Sequence, residues 1–123
     1  MTRAPGRLSI VMPCYNEQQG LADSARQVLQ VLSDLVARGR VGEGSNLWLV
    51  DDGSRDGTWG VIETLAAADQ RVVGLKLSRN RGHQNALLAG LMNADGDAVI
   101  SLDADLQDDI GVIDDMVSAW QSG

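Results

Sequence analysis

The feature that most constrains this chain is a fourfold alternation of short apolar runs with helical patterns, each run leading into a polar cluster. Leu8 to Met12 is apolar and ended by Pro13, and reads as a buried strand. Leu21, Ala25, Val28, Leu29, Leu32, Leu35 and Val36 then recur at helical spacing, predicting one long amphipathic helix that stops near Gly39. A turn-rich connector, residues 39–46, leads to a second strand, Leu47 to Val50. The pattern repeats with a helix marked by Val61, Ile62, Leu65 and Ala66, and a strand from Val72 to Leu77. A helix carrying Ala86, Leu87 and Leu91 and a strand from Ala98 to Leu102 follow. Ile113, Met116, Val117 and Trp120 mark a last helix. Strands alternating with helices imply an α/β fold: a parallel sheet with right-handed crossovers and flanking helices. Such sheets bind ligands beyond the carboxyl ends of their strands. The polar clusters PCYNE, DDGSRDG, SRNRGHQ and DADLQDD each follow a strand, so they share one rim.

Length and composition narrow the classes. At 123 residues the chain has room for one domain with a real core. Aromatics are only 3%, with no Phe, so aliphatic side chains must fill that core. A net charge of -7 argues against a general nucleic-acid binder, which needs a basic stripe. It leaves room for an anionic ligand, because a bound metal ion can reverse the local sign. The single cysteine, Cys14, allows no internal disulfide and no cysteine-based zinc site, and reads as a packed thiol. The apolar stretch near the N-terminus is too short for a signal peptide, and no run in these residues approaches the ~18 apolar residues of a membrane span.

The rim clusters carry the chemistry. Asp103 and Asp105, with Gln107 two further on, offer clustered oxygen donors that suit a hard divalent cation, Mg²⁺ or Mn²⁺. The structural alternative is a solvated acidic turn before the last helix, with Asp108 as N-cap and Asp109 complementing the dipole. Asp51 and Asp52 end the second strand side by side, which needs compensation from a donor-rich base, a ribose or a metal. Their alternative is an Asx-turn with Gly53 and Gly57 at positive φ. Asp56 and Thr58 read as turn and cap residues. Pro13 and Tyr15 suit the wall of a flat base, with Glu17 as a hydrogen-bond acceptor or else as a first-turn helix acid. The first strand lacks the G-x-G-x-x-G that a dinucleotide fold needs there. Arg79, Arg81 and His83 supply cations for a diphosphate, against the alternative of solvated arginines and a structural histidine.

Taken together, LSIVMPCYNE, VDDGSRDGT, SRNRGHQNALLAG and DAVISLDADLQDD resemble the family-2 glycosyltransferases. The resemblance covers essentially the whole chain. Each motif is weak alone, but four in order after four expected strands are specific. SRNRGHQNALLAGL with DADLQDD is most similar to the polyprenol-phosphate branch, the dolichol-phosphate mannose synthases and bactoprenol glucosyltransferases. The resemblance implies a GT-A nucleotide-diphospho-sugar fold, here with a Rossmann-like parallel sheet that stops after its fourth strand–helix unit. Residues 1–123 are then the nucleotide-sugar-binding part, with the acceptor half, the catalytic base and any membrane helices expected beyond Gly123. It implies that Pro13, Tyr15 and Glu17 surround the nucleobase and that Asp52, or its neighbour Asp51, holds base or ribose. The loop from Arg79 through Arg81 to His83 contacts the nucleotide. Asp103 lies near ribose, sugar or metal; Asp105 holds the metal, and Gln107 is a further ligand. Relatives commonly carry a proline pair where Asp109 and Ile110 stand.

The implied reaction is inverting transfer of a sugar from a nucleotide-diphosphate donor to an acceptor, a polyprenyl phosphate. The implied setting is cytoplasmic, with the full protein membrane-associated and its site facing the cytoplasm. Nucleic acid is not an expected partner, and a sheet open at its fourth strand makes self-association of the fragment an expectation. A non-catalytic nucleotide-sugar-binding module is the alternative. An aspartyl-phosphate protein is disfavoured: dehalogenase-like phosphatases carry D-x-D after the first strand, and receivers carry their acid pair there too.

Overall fold

A computed structural model describes residues 5–80, 82–105 and 110–122. Arg81 and Gln107, like Asp108 and Asp109, lie outside the described residues. Eight elements alternate: β1 (Leu8–Cys14), α1 (Leu21–Ala37), β2 (Asn46–Asp51), α2 (Thr58–Ala68), β3 (Val72–Lys76), α3 (His83–Asn93), β4 (Ala98–Ser101) and α4 (Val112–Gln121). The four strands form one parallel sheet in the order β3-β2-β1-β4. The chain steps outward from β1 to β3, then reverses to place β4 on the other side of β1.

That reversal distributes the helices. Leu47 and Leu49 of β2 belong to the large core with α1, α2 and α4, whereas Trp48 and Val50 pack into a smaller cluster with Ala86 of α3. Right-handed crossovers require this: α1 and α2 lie on one face, and α3 must cross on the other. In α1 the residues Leu21, Ala25, Val28, Leu32 and Leu35 are fully buried, so the stripe read from the sequence is the stripe that packs.

Two expectations need correction. Pro13 does not end β1; the strand runs on to Cys14, with Pro13 in register with Val50 and Cys14 with Asp51. Proline is tolerated here because of the side its missing N–H faces. The Val11 carbonyl accepts from Leu102 on the β4 side, and Pro13, two residues on, faces the same way, past the end of β4. Leu91 does not face the core; it is 42% exposed. Helix α3 instead touches the sheet through Ala86 and Gly90, one turn apart, and both are buried. A Cβ added at Gly90 would lie 2.4 Å from Val11 Cγ1, so only glycine allows this close a helix–sheet approach.

Candidate active site

The loops at the carboxyl ends of the strands meet over β1 and the reversal in strand order, the place where open α/β sheets bind ligands. They enclose a cleft of about 310 Å³. Pro13, Tyr15 and Glu17 line it from the β1 side, Asp52 from β2, His83 from the start of α3, and Asp103 and Asp105 from β4. Seven residues singled out from four separate motifs therefore share one cavity. Asn80, Gly82, Ala104 and Cys14 complete the lining. Asn80 and Gly82 do not stand out in the sequence, where the cations of the same loop dominate. The available signal was the N-x-G spacing, since the Asn80 side-chain oxygen accepts from the Gly82 N–H at 2.9 Å.

The two adjacent aspartates separate cleanly. Residues alternate across a strand, so Asp51 follows Leu47 and Leu49 toward the α1 and α2 face. Asp51 is 1% exposed, its Oδ1 accepts from the Ser54 N–H at 3.2 Å, and it does not line the cleft. Its Oδ2 is buried with no hydrogen-bond partner among the described residues. Asp52, the next residue, is the one on the cleft wall, with its N–H donating to the Cys14 carbonyl at 2.8 Å. Arg79 is exposed and also outside the lining. Its backbone lies against Gly53: a Cβ at Gly53 would come within 2.3 Å of the Arg79 carbonyl carbon, and Gly53 has φ +67°. This contact joins the second and third loops.

The first two loops are tied to each other more extensively. Asn16 N–H donates to Ser54 Oγ (2.9 Å), Arg55 N–H to Asn16 Oδ1 (2.9 Å), and Glu17 N–H to Thr58 Oγ1 (2.9 Å). Gln18 N–H donates to Asp56 Oδ2 (3.3 Å), and Gly57 N–H to Gln18 Oε1 (3.0 Å). Asp56 also accepts from the Thr58 N–H and hydroxyl, and that hydroxyl foremost holds its carboxyl below the usual range. Asp56 thus has the turn role expected of it, whereas Thr58 is the first residue of α2 and not its cap: the N-cap is Gly57, with no side-chain cap bond, and the Thr58 hydroxyl ties the two loops instead.

The cleft is electronegative. Burial first, then the charges of Asp105 and Asp56, raise the Glu17 carboxyl above its ordinary value. Cys14, buried and donating to the Met12 carbonyl at 3.2 Å, has its thiol pushed up to about 12 by burial, then by Glu17 and Asp51. Among the described lining residues His83 alone is basic, with Nε2 3.9 Å from Asp103 Oδ1 in an exposed pair. Among the described residues no three His, Cys, Asp or Glu side chains converge as a metal cage. Asp103 and Asp105, both exposed on either side of buried Ala104 and both lining the cleft, offer two hard oxygen donors. That donor set fits a cation that keeps water and takes phosphate oxygens, as Mg²⁺ does, rather than one fully caged by protein.

Residues 9–123 match the family described as Glycosyl transferase family 2. The chain belongs to that family. Among curated relatives, it is 46% identical over 118 residues to the uncharacterized glycosyltransferase YkoT of Bacillus subtilis (strain 168), covering 94% of this chain and 35% of that protein. It is 37% identical over 120 residues to a prophage bactoprenol glucosyl transferase homolog of Escherichia coli (strain K12), covering 95% and 36%. It is 40% identical over 117 residues to an undecaprenyl-phosphate 4-deoxy-4-formamido-L-arabinose transferase of Shewanella sediminis (strain HAW-EB3), covering 94% and 34%. The family-2 chain thus spans about a third of the length of the curated relatives it matches. Its fold is that of GT-A glycosyltransferases. A mannosyltransferase from Pyrobaculum calidifontis, solved in complex with GDP-Man and Mn2+, superposes with a TM-score of 0.63 at 25% identity, covering 82% of this chain and 28% of that one. S. aureus TarS 1-349 also gives 0.63, at 19% identity, covering 94% and 32%. No helix among the described residues is long and apolar enough to cross a membrane.

Proposed function

We propose that this chain is the donor-binding part of a glycosyltransferase that moves a sugar, with inversion, from a nucleoside diphosphate to a polyprenyl phosphate. The observation that carries this reading is the convergence of residues from all four rim loops on one electronegative cleft. In it, Pro13, Tyr15 and Glu17 form the wall for the base, and Asp52 accepts hydrogen bonds from base or ribose. His83 faces the diphosphate; Arg79, outside the cleft lining, and Arg81, assigned from the sequence alone, add cations on the segment that leads to it, and Arg suits phosphate oxygens because its fork of donors matches them. Asp103 and Asp105, with Gln107, hold Mg²⁺ or Mn²⁺, which when bound neutralises charge gathering on the leaving diphosphate. The Mn2+ and GDP-Man of the mannosyltransferase complex support that cofactor and donor class. The relatives named for bactoprenol or undecaprenyl phosphate support the acceptor and a place at a membrane, and we place the site on its cytoplasmic side.

We place the acceptor groove and the catalytic base in the two thirds of the relatives' length outside these residues. The chain as given then binds donor and transfers no sugar, because positioning accounts for roughly 7–11 kcal/mol of such barriers. Calorimetry with UDP, GDP, CDP, ADP and dTDP, in Mn²⁺ and in EDTA, tests the donor reading. One diphosphate is expected to bind in Mn²⁺ and to weaken sharply in EDTA. Equal affinity in both removes the metal assignment, and no binding of any member removes the donor assignment. Transfer of radiolabelled sugar to polyprenyl phosphate by these 123 residues alone would show the acceptor machinery to be misplaced.

A further inference from the structure

Asn16 stands between two cleft residues, Tyr15 and Glu17, and is not itself part of the lining. Among the described residues it is the one non-glycine with positive φ, at 53°. L-residues avoid that region, and asparagine tolerates it best because its short amide can bond the local backbone. Here the amide bonds a different loop. The Asn16 N–H donates to Ser54 Oγ while its Oδ1 accepts from the Arg55 N–H, each at 2.9 Å. One residue thus both donates to and accepts from two consecutive positions of the β2–α2 loop. Such a reciprocal pair fixes twist as well as separation. Ser54 is anchored in turn, its N–H donating to the buried Asp51 carboxylate at 3.2 Å. The latch therefore runs from the end of a central strand, through Ser54, to the loop that carries Tyr15 and Glu17.

We propose that Asn16 is a positioning residue for the cleft: its left-handed backbone and its amide oxygen hold Tyr15 and Glu17 at a fixed distance from Asp52. A wall ordered before ligand arrives loses no conformational freedom when the ligand binds. The consequence for nucleotide binding rests on the donor reading above; the latch itself does not.

Three variants separate the backbone from the amide. Asn16→Gly keeps the positive φ and removes the acceptor, Asn16→Asp keeps both, and Asn16→Ala loses both. Ser54→Ala removes only the acceptor of the Asn16 N–H, and keeps the test decisive should an Asn16 variant fold poorly. Tyr15 is the single tyrosine, so fluorotyrosine labelling gives one ¹⁹F resonance from the cleft wall. In Asn16→Gly that resonance is expected to broaden or split, and the affinity for whichever of UDP, GDP, CDP, ADP or dTDP binds is expected to fall about tenfold. Ser54→Ala repeats both effects at smaller size, and Asn16→Asp preserves the sharp resonance and the affinity. A sharp, parent-like resonance in both Asn16→Gly and Ser54→Ala overturns the latch, as does an Asn16→Asp variant as loose as Asn16→Gly. If no member of the five-diphosphate panel binds the parent protein, the donor reading fails while the Tyr15 resonance still decides the latch.

Discussion

The rim of this sheet has two unlike halves. The half built on the central strands β1 and β2 is latched. Asp51 and Asp52 are buried, and five hydrogen bonds join the β1–α1 loop to the β2–α2 loop. The half built on the loops after β3 and β4 is open among the described residues. His83, Asp103 and Asp105 are exposed, and the pair between the first two spans 3.9 Å. Every residue of β1 is buried, while in β4, the last strand of these 123 residues, three are half-buried and Ser101 is exposed. The contrast teaches a division of labour. A flat base is best read by a rigid wall, and rigidity comes from central strands with ordered loops. Charged oxygens and a hydrated cation, as proposed for this cleft, need groups that stay in water until the ligand arrives, and the exposed His83, Asp103 and Asp105 are such groups.

The largest effect expected from this contrast is on stability. Leu49, fully buried on β2, should lose roughly 2–5 kcal/mol as Leu49→Ala. Half-buried Val99 on β4 should lose only about 1 kcal/mol as Val99→Ala. Urea denaturation of both variants measures the gap, and equal losses would remove the distinction between the halves. Next comes Asp105→Asn, which should weaken Mn²⁺-dependent diphosphate binding by roughly 10- to 100-fold while leaving urea stability within about 0.5 kcal/mol. Asp115→Asn, on exposed α4 surface, serves as the comparison and should leave both unchanged.

A smaller effect concerns pH. The Glu17 carboxyl is raised by burial and by Asp105, so its neutral form favours the folded state. That contribution is complete below the unfolded value and is lost as pH rises through the folded one. Glu17→Gln should therefore gain stability over the parent between about pH 4 and pH 7, with a smaller gain in Mn²⁺, which offsets the charge of Asp105. Denaturation at the two pH values with and without metal checks the sign; a loss at the higher pH would contradict it. The smallest effect is an absence. Cys14 lines the cleft but is 1% exposed with its thiol pushed up to about 12, so it should resist iodoacetamide near pH 8 in the folded protein. Prompt alkylation would show the latched half to be open.

The strand–helix order was legible because apolar runs and turn residues are local signals. The helical stripe of α1 was legible for the same reason, and all four polar clusters do meet on one rim. What stayed hidden depends on neighbours distant in sequence. Pro13 reads as a stop until β4 is known to end short of it. Ala86 and Gly90 carry the α3 contact because of how closely that helix approaches Val11, and their smallness gives no apolar stripe to read. Asp51 and Asp52 are indistinguishable as letters, and only the facing of β2 assigns one to the core side and the other to the cleft. Asn16 looks like a turn residue, and its reciprocal bonds reach residues 38 and 39 positions away.

In the proposed function one cleft reads the base on its latched side and the charge on its open side. A crystal structure with the tightest-binding nucleoside diphosphate and Mn²⁺ tests this most directly. The account predicts the base against Tyr15 and Glu17 within a side chain's reach of Asp52, and an anomalous manganese peak beside Asp105. A base lying away from Asp52, or manganese bound elsewhere than the loop after β4, would contradict it.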